Sequence, residues 1–447
     1  MSTIYALSTV FGKSGVAVFR VSGPDALGVL EVLNLGVASV KPRSVHFAKL
    51  YEKDLLLDEL LIIYFSAPAS FTGEDVVEIH SHGSIAILRY ITERLSQRFV
   101  LAEPGEFTRR AVLNNKMDLT KAEGIIDLIN AETSAQLKQA SRHISGHLEE
   151  EYDSIRMKAI RSLSHLEAYI DFPDEEIPVS VVDSVTRSVE ELIGLISNHL
   201  DDGRVGEKIR KGFLITIIGK PNAGKSTLFN YLAKRELAIV TDIPGTTRDV
   251  LEVKLDCNGY PIVLLDTAGI QDTDDKIEKE GIAKAINSAS DSDIVIFLRD
   301  ISELHAPCSD ADTSKLTELL EHIEARELPI IRVATKADDF SESSRYDVTN
   351  EYILLSVHKE KGVELLLDKI FSIISTVDRE SYVITHQRHR VALEGALMHL
   401  RRFSFDLSIE LAAEELKLAA DYIGSVTGKI KLDEILDEIF STFCIGK

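Results

Sequence analysis

The chain has 447 residues, of which 45% are hydrophobic and 27% charged, and its formal net charge is −22 at pH 7. This length predicts two or three domains. The excess of acidic residues argues against non-specific nucleic-acid binding, which requires Lys and Arg against phosphates. The sequence has no apolar run of about eighteen residues that would cross a bilayer, and no basic start followed by an apolar stretch, as in a secretory signal. We therefore expect a cytoplasmic protein with no membrane association.

Residues 1–118 alternate short β-like runs with turns and helical stretches, which predicts an α+β domain. The β-like runs are Gly15–Val21, Leu60–Phe65 and Val76–His80. This segment has twelve Lys or Arg and thirteen Asp or Glu, so its formal net charge is −1 and that of the remaining residues is −21. If an RNA binds, this segment is the surface that repels it least.

Long helical periodicity begins at Leu119. One apolar face repeats at spacings of four, four, three and four residues, as on an α-helix, and consists of Ile155, Ala159, Leu163, Leu166 and Ile170. The two prolines of DFPDEEIP (171–178) interrupt this pattern, which resumes to about Leu200. His143 and His147, one helical turn apart, are expected on a solvated face.

A segment with alternating strands and helices follows, because apolar runs are separated by stretches of helical length. Continuous apolar strands are typical of a parallel sheet covered by helices on both faces. The runs are Phe213–Ile218, Ile262–Leu265, Ile294–Leu298, Ile330–Val333 and Ile353–Leu355.

After about Thr376 the helical pattern returns, with apolar positions at Leu393, Leu397, Leu400, Leu411, Leu418, Tyr422, Leu432, Ile435 and Ile439. The two helical stretches must bury their apolar faces, and packing them together achieves this. We therefore predict a helical domain (119–210 and 376–447) with an α/β domain (211–375) inserted in it, after the N-terminal domain (1–118). Four consecutive domains are the alternative.

A phosphate-binding loop is predicted at GKPNAGKS (219–226), which fits GxxxxGK[ST] between a strand and a helix. The glycines let backbone N–H groups surround phosphate oxygens, the lysine meets the β and γ phosphates, and the serine hydroxyl ligates Mg²⁺. The nucleotide-binding candidates here are Asn222, Ala223, Gly224, Lys225, Ser226 and Thr227.

Three later motifs indicate that the nucleotide is GTP. DTAG ends one strand and TKAD another, and LSV (355–357) stands where a further loop supports the base. An aspartate in TKAD can accept hydrogen bonds from guanine N1 and N2, a pattern that adenine does not offer. The usual first residue of this motif is Asn, and here it is Thr. The candidates are Asp266, Thr267, Ala268, Gly269, Thr335, Lys336, Asp338 and Ser356.

The residue after DTAG is Ile270, which cannot orient a water as the glutamine of Ras-type enzymes does. An arginine finger or a bound cation must neutralise the charge between the phosphates. Two features favour the cation: Asn222 inside the phosphate loop, and TDIPGTTRD (241–249), a turn rich in carbonyls and hydroxyls that we interpret as the first switch. Its nucleotide-binding candidates are Thr241, Asp242, Ile243, Pro244, Gly245, Thr246 and Thr247.

These motifs resemble those of the MnmE (TrmE) tRNA-modification GTPases. GKPNAGKSTL, AIVTDIPGTTRDV, DTAGI, YIDFPDEEI, PGEF, LNNKMDL and the final FCIGK are similar to that family's signatures, and the resemblance extends from about residue 20 to residue 447. It implies an N-terminal folate-binding and dimerisation domain, a helical domain and an inserted Ras-like P-loop GTPase domain.

The resemblance also implies an activity. Members are cytoplasmic homodimers that form a heterotetramer with MnmG (GidA), a partner containing FAD. Together they add a carboxymethylaminomethyl or aminomethyl group at C5 of the wobble uridine (U34) of certain tRNAs. The one-carbon donor is 5,10-methylenetetrahydrofolate, for which 5-formyltetrahydrofolate is an analogue, and GTP hydrolysis is activated by K⁺.

Residue roles follow from the same resemblance. It implies K⁺ ligands at Asn222, Thr241, Ile243 and Thr246, Mg²⁺ ligands at Ser226 and Thr247, and a water-positioning carboxylate at Glu278, for which a solvated helix face is the alternative. It further implies folate binding by Arg20, Glu78, Lys116 and Lys447. A carboxylate suits the donor edge of a pterin, and cations suit the folate's glutamate tail. Ordinary surface salt bridges are the alternative for these four.

The three cysteines, Cys257, Cys308 and Cys444, are far apart and form neither a disulfide framework nor a zinc site by themselves. A C-terminal prenylation motif is excluded by Gly446 and Lys447. The resemblance implies that Cys444 is catalytic in tRNA modification and that the tail carrying it reaches the folate domain. A buried, inert thiol is the alternative. The histidines of HSH (80–82) are a weak candidate for a metal pair.

Two other functions stay open. One is a ribosome-assembly GTPase, which is a switchable RNA-binding module without small-molecule chemistry. The other is a GTP-driven conformational clamp for a partner enzyme. Folate binding discriminates among the three, because only an MnmE-type function predicts it.

Overall fold

The computed structural model describes residues 2–36, 39–170, 178–220, 222–235, 251–266, 292–304, 320–321, 323–338, 351–377, 382–429, 436, 439–440 and 442–446. These form two compact units. The first contains Met1–Ile126, Arg142–Leu192 and Met398–Lys447, and the second contains Asp127–Ser141 and Ile193–Leu397. Among the described residues, no helix combines the length and apolarity that crossing a membrane requires.

The first unit contains a six-stranded sheet in the order β3-β4-β5-β2-β1-β6. All neighbours are antiparallel except β1 and β6. The predicted N-terminal strands are confirmed, and each lies within a longer strand. The strands are β1 (Ile4–Leu7), β2 (Ser14–Ser22), β3 (Val45–Glu52), β4 (Leu55–Phe65), β5 (Val76–Gly83) and β6 (Val100–Leu101).

One face of this sheet is buried because alternate residues of each strand are apolar. Helices α1 (Val29–Val32) and α2 (Ile85–Ser96) provide much of the rest of this core. The core residues include Phe19, Leu60, Ile62, Ile79, Leu88, Ile91 and Leu95. The opposite face carries the polar side chains that concern the candidate site.

Helix α3 (Glu106–Leu113) belongs to the N-terminal segment. The helices that follow it in the first helical stretch are α4 (Leu119–Ile129), α5 (Ser134–Ile144), α6 (His147–Ile170) and α7 (Val179–Leu200). Of the predicted apolar face of α6, Ile155, Ala159 and Leu166 are buried. The solvated position predicted for His143 is wrong: His143 is buried, whereas His147 is exposed. A Cβ added to Gly124 would lie 2.7 Å from the Cβ of His143, so the missing side chain lets α4 and α5 approach closely.

Helix α12 (Ile409–Thr427) packs along α6 within the first unit. The predicted apolar face of Leu411, Leu418 and Tyr422 is wrong, because Leu411 and Tyr422 are exposed. The buried face contains Ala412, Leu416, Ala419, Ala420 and Ile423. Alanines allow close approach of a neighbouring helix, and their small side chains carry little hydrophobic signal in the sequence.

The second unit contains the predicted α/β segment, whose sheet has the order β12-β11-β10-β7-β9-β8. Its strands are parallel except for the antiparallel pair β8 and β9. The elements are α8 (Val205–Lys211), β7 (Phe213–Gly219), α9 (Lys225–Ala233), β8 (Leu251–Cys257), β9 (Tyr260–Asp266), β10 (Ile294–Asp300), β11 (Ile330–Thr335), β12 (Ile353–Leu354) and α10 (Val363–Val377). Helix α11 (Gln387–Arg402) belongs to this unit up to Leu397, and its last residues belong to the first unit.

The five apolar runs predicted as strands coincide with β7, β9, β10, β11 and β12, with Leu355 just beyond β12. Their side chains are buried because helices such as α9 and α10 contribute to the same core. The core includes Ile215, Ile217, Leu228, Ile296, Val333 and Leu366. The carboxyl ends of the parallel strands therefore lie at one edge, where α/β proteins bind ligands.

The two chain segments that enter and leave the α/β sheet are joined by a buried arginine. Arg390 donates hydrogen bonds to Asp202 at 2.7 Å, to Glu207 at 3.0 Å and to the main-chain oxygen of Leu200 at 3.0 Å. A Cβ at Gly206 would lie 2.2 Å from the oxygen of Ile384. The sheet is therefore an insertion whose two connections are hydrogen-bonded together.

Candidate functional site

The phosphate-binding loop connects β7 to α9. Gly219 has φ +156°, and a Cβ there would lie 2.5 Å from the oxygen of Leu298. Gly224, the residue before α9, has φ +91°. The ammonium of Lys225 donates to the oxygens of Gly219 and Lys220, at 2.9 Å each. The loop thus brings the Lys225 ammonium and the N-terminus of α9 together. Positive charge and free main-chain N–H groups of this kind are suited to binding anionic phosphates.

The first turn of α9 and the loop carry the other candidates of this motif. Ala223 is buried, whereas Asn222, Ser226 and Thr227 are exposed. Asn222 has φ +62°, a left-handed conformation that asparagine tolerates better than most residues. Asp266 ends β9, next to Ile217 of β7 in the parallel register. The chain therefore brings the DTAG aspartate to the strand that precedes the phosphate loop.

Several candidates lie outside the described residues. They are Thr241, Asp242, Ile243, Pro244, Gly245, Thr246, Thr247, Thr267, Ala268, Gly269, Glu278 and Lys447.

The TKAD motif begins at the end of β11 and contacts the phosphate loop. The buried hydroxyl of Thr335 donates to the main-chain oxygen of Ala223 at 2.7 Å. The ammonium of Lys336 lies 2.8 Å from Asp300 of β10. Partial burial acts to raise the pKa of Asp300, but hydrogen bonds from Lys336 and Ser302 outweigh it, so this pKa lies below its ordinary value. Lys336 is thereby held beside the strand end.

The carboxylate proposed to read guanine is held by the last loop of the sheet. Ser356, which is buried, hydrogen-bonds to Asp338, and the ammonium of Lys359 donates to the main-chain oxygen of Asp338. Gly362 has φ +81°, and a Cβ there would lie 2.0 Å from the oxygen of Leu354. The close turn around Gly362 thus keeps Ser356 against the TKAD motif. Lys359 was not identified from the sequence.

In the first unit, Arg20 and Glu78 form the centre of the second candidate site. They are cross-strand neighbours on β2 and β5. Arg20 Nη2 and Nε lie 2.8 and 3.1 Å from Glu78 Oε1. The guanidinium lies 5.4 Å from the ring centre of Phe71 and 5.7 Å from that of Phe107. The pair is half-buried, so the structure supplies an oriented carboxylate and cation beside two aromatic rings.

Lys116 lies against the same loop that supplies Phe71. Its ammonium donates to the oxygen of Pro68 at 2.8 Å. A Cβ at Gly73 would lie 3.2 Å from the Lys116 Cδ, so the glycine leaves room for this side chain. Buried Arg110 stabilises this loop, because its Nη1 donates to Glu74 Oε2 at 3.0 Å.

The C-terminal segment lies on the N-terminal strands and on α3. Phe440 and Phe443 belong to a core that includes Leu119, Ala122 and Ile126 of α4. The amide of Gly105 donates to the oxygen of Cys444 at 3.4 Å, and Pro104 forms an antiparallel bridge with Ile445. The hydroxyl of Ser8 donates to the oxygen of Gly446 at 3.0 Å.

Gly446 has φ +101°, and a Cβ there would lie 2.4 Å from the oxygen of Leu7. Because Ala6 and Arg20 are register partners in β1 and β2, the tail meets the sheet close to the arginine candidate. Cys444 is exposed. The structure therefore does not bury this thiol, contrary to the inert alternative.

Cys257 contrasts with Cys444. It is buried, and burial first, then the charges of Asp256 and Asp368, raise the pKa of its thiol to about 11. Its sulfur lies 3.6 Å from the oxygen of Leu367. Cys257 is a structural residue of the α/β core.

The two histidines of HSH lie on the same sheet face as Glu78. His80 Nε2 is 3.7 Å from Glu78 Oε2, and His82 Nδ1 is 2.5 Å from Asp58 Oδ1. In the part of the chain that the structure describes, no group of three His, Cys, Asp or Glu is arranged to hold a metal ion. The hydrogen bond with Asp58, followed by its charge, raises the pKa of His82 above its ordinary value.

The chain matches two family models. One, described as the MnmE helical domain, covers residues 119–444, and the other, described as the GTP-binding protein TrmE N-terminus, covers residues 3–116. A tRNA modification GTPase MnmE of Neorickettsia sennetsu is 52% identical, one of Rickettsia rickettsii is 47% identical and one of Ehrlichia ruminantium is 46% identical. Each similarity covers 100% of this chain and 100% of the relative. The chain belongs to the MnmE family of tRNA modification GTPases.

Proposed function

We propose that this protein is a K⁺-activated GTPase that acts with an FAD-dependent MnmG (GidA) partner. The pair adds a carboxymethylaminomethyl or aminomethyl group at C5 of the wobble uridine of certain tRNAs, with a tetrahydrofolate as one-carbon donor. The observation that carries this proposal is the hydrogen-bonded contact of the Cys444–Gly446 segment with Ser8 and Gly105, beside the strand that bears Arg20. A GTPase without small-molecule chemistry has no need of this arrangement.

For GTP, each group that we propose to contact the nucleotide has a matching chemistry. Lys225 and the amides at the start of α9 meet the β and γ phosphates. Asp338 accepts from guanine, and its bond with Ser356 orients the carboxylate. Thr335 acts through the phosphate loop, because its hydroxyl is engaged with Ala223.

For the cations, the donor sets are oxygen atoms, which Mg²⁺ and K⁺ prefer. Mg²⁺ would be held by Ser226 and Thr247, and K⁺ by Asn222 with the oxygens of Thr241, Ile243 and Thr246. When bound, the cations neutralise charge that develops on the phosphates. Asn222 and Ser226 are exposed at the loop and at the first turn of α9, which fits this role. Glu278 is proposed to orient the attacking water.

For the folate, Glu78 offers its carboxylate to the pterin donor edge, with Phe71 and Phe107 as apolar neighbours. Arg20 contacts Oε1 of Glu78, and the second oxygen, Oε2, lies 3.7 Å from His80 Nε2 and is the atom that we propose to meet the pterin. Lys116 and Lys447 are proposed to bind the negatively charged glutamate tail. Bound folate would supply the one-carbon unit, and the exposed thiol of Cys444 is proposed as the nucleophile or proton donor of the modification.

We also propose that the N-terminal domain (1–118) forms the homodimer. The sheet face opposite its core exposes apolar side chains in continuous register: Phe47 of β3 is paired with Leu61 of β4, which is paired with His80 of β5. Val45, Phe47 and Leu61 are 61%, 58% and 43% exposed. An apolar face of this kind fits a second copy. The helical domain (119–210 and 376–447) carries the inserted GTPase domain (211–375).

GTP turnover with Mg²⁺ in KCl and in NaCl at equal ionic strength tests the cation. We expect strong stimulation by K⁺ alone and its loss in Asn222→Ala. Equal rates in both salts contradict K⁺ activation.

Incubation of the protein with MnmG, FAD, tRNA, GTP and 5,10-methylenetetrahydrofolate tests the modification. Nucleoside mass spectrometry should find modified wobble uridine with the wild type and none with Cys444→Ser, which should hydrolyse GTP at the wild-type rate. If the protein hydrolyses GTP but binds no folate and modifies no tRNA, this result would favour a ribosome-assembly function.

A further inference from the structure

The loop between β1 and β2 has a solvent-exposed aromatic side chain. In Ser8–Ser14 (sequence STVFGKS), Val10 is 90% exposed and Phe11 is 57% exposed. A Cβ built at Gly12 or Gly15 would meet no atom within 4 Å, so the space beside Phe11 is open. Exposed aromatic rings on a loop are costly in water and are typical of recognition surfaces.

This loop is hydrogen-bonded at its base to the segment that carries the exposed thiol of Cys444. The amide of Ser8 donates to the oxygen of Val18 at 2.7 Å, and the amide of Val18 donates to Thr9 Oγ1 at 3.2 Å. The hydroxyl of Ser8 donates to the oxygen of Gly446, two residues after Cys444. The stem is therefore ordered by hydrogen bonds, and the exposed Phe11 lies three positions along the chain from Ser8, which contacts the C-terminal segment.

Charge also favours one kind of ligand. The segment contains Lys13 and no acidic residue, in a chain whose net charge is −22. A phosphodiester backbone is attracted to a lysine here and is repelled by most of the remaining surface. A planar base stacks on an aromatic side chain without regard to its sequence identity.

We infer that Phe11 is a stacking platform for an unpaired base of the tRNA anticodon loop, with Lys13 against the adjacent phosphate. A base in a loop is already partly unstacked, so holding it on Phe11 costs little. The contact would present the neighbouring uridine to the Cys444 segment. This inference rests on the proposed function and adds to it the surface that holds the RNA.

Affinity for a fluorescent anticodon stem-loop RNA, measured by anisotropy with the full-length protein, tests the stacking. Phe11→Leu keeps an apolar side chain without a ring, and we expect its affinity to fall about ten-fold. Phe11→Trp should bind as well as the wild type or better. Val10→Ala in the same loop, and Leu365→Ala at an exposed position of α10, are matched controls that should leave affinity unchanged.

Two further readouts identify the occupant. A stem-loop with 5-iodouridine in the anticodon loop should cross-link to Phe11 on irradiation, as mapped by peptide mass spectrometry. Lys13→Gln should reduce the slope of log affinity against log salt by about one.

Equal RNA affinity of Phe11→Leu and wild type, or cross-links that map elsewhere, would overturn the inference. So would a change of oligomeric state in Phe11→Leu at unchanged RNA affinity, which would assign the loop to a subunit contact. These results leave the proposed function intact if wild type still modifies tRNA. Absence of both modification and RNA binding in the wild type refutes the proposed function together with the inference.

Discussion

The hydroxyl of Thr335 donates to the main-chain oxygen of Ala223 across 112 positions of sequence and at a distance of 2.7 Å. This bond ties the base-reading motif to the phosphate loop. It also explains how a threonine serves at the first position of a motif that usually begins with asparagine. The hydroxyl makes the contact to the loop, and Asp338 is the residue that we propose to read the base.

We predict that Thr335→Val weakens GTP binding. Valine has the same shape but no donor, so the oxygen of Ala223 loses its partner in a buried position. An unsatisfied buried acceptor costs about 1–3 kcal/mol, so we expect affinity to fall by about five-fold or more. Titration with a fluorescent GTP analogue measures this, and Thr335→Ser should bind like the wild type. Equal affinity of the valine variant would show that the bond does not support the loop.

A second prediction concerns the C-terminal segment. Gly446→Ala adds a Cβ that would lie 2.4 Å from the oxygen of Leu7, at φ +101°. The tail must then leave the sheet, so tRNA modification should fall by at least ten-fold while GTP turnover stays normal. Hydrogen exchange of residues 442–446 should increase.

Gly194→Ala, in α7 where a Cβ would meet open space, is the control for that variant. It should stabilise the folded protein by up to about 1 kcal/mol, because alanine has a higher helix propensity than glycine. Retained modification activity in Gly446→Ala would refute the role of the tail contact.

Folate binding should depend on the geometry of the Arg20 guanidinium and not on its charge alone. Arg20→Lys keeps the charge but cannot place two N–H donors on Glu78 beside Phe71 and Phe107. We expect affinity for 5-formyltetrahydrofolate to fall about ten-fold, as measured by calorimetric titration.

Arg98 provides the matched control, because it also pairs with carboxylates, Asp25 and Glu31, and lies 5.9 Å from the ring centre of Phe99. Arg98→Lys should bind folate normally. If both lysine variants behave alike, the Arg20 pair is an ordinary surface salt bridge.

The Asp58–His82 pair predicts that the stability of the folded protein depends on pH. Asp58 raises the pKa of His82 in the folded state above its ordinary value of 6.5. The stabilisation by His82 is therefore fully present below about pH 6.5 and is lost as the pH rises through the raised pKa. The melting temperatures of wild type and His82→Ala should differ most at acidic pH and converge in alkaline buffer. A His82 difference that grows with pH would contradict this assignment.

The two described cysteines should differ in alkylation. At pH 8 the buried Cys257, with a thiol pKa of about 11, holds almost no reactive thiolate, whereas Cys444 is exposed. Iodoacetamide treatment followed by peptide mass spectrometry should find Cys444 modified at least ten times faster. Both should react alike in urea, and rapid native labelling of Cys257 would show that the core around it opens.

The strands of the α/β sheet were predictable because continuous apolar runs have few other stable arrangements. The buried face of α12 was not, because alanines carry little hydrophobic signal, although Ala412 and Ala419 define the contact. The bond between Thr335 and Ala223 was hidden for another reason. It joins a side chain to a main-chain oxygen, and sequence patterns do not reveal main-chain partners.

The candidate site divides in the same way. The phosphate loop and TKAD are local motifs, so residues such as Lys225 and Asp338 were found by spacing. Arg20 and Glu78 came from family resemblance, since neither spacing nor charge distinguishes them from surface ion pairs. Lys359 and Phe11 had no sequence signal beyond their residue types, and only their positions in the fold give them a role.

The bonds from Arg390 to Asp202 and Glu207 bring the start and the end of the α/β insertion to one point. A segment that leaves and returns at the same place can be removed and its ends joined by a short linker without stretching the rest of the chain. The nucleotide-binding module is thus an exchangeable part, which a homologous sheet with different nucleotide kinetics could replace. Such a chimera would separate the rate of the GTPase cycle from the tRNA-modification chemistry that we propose for Cys444.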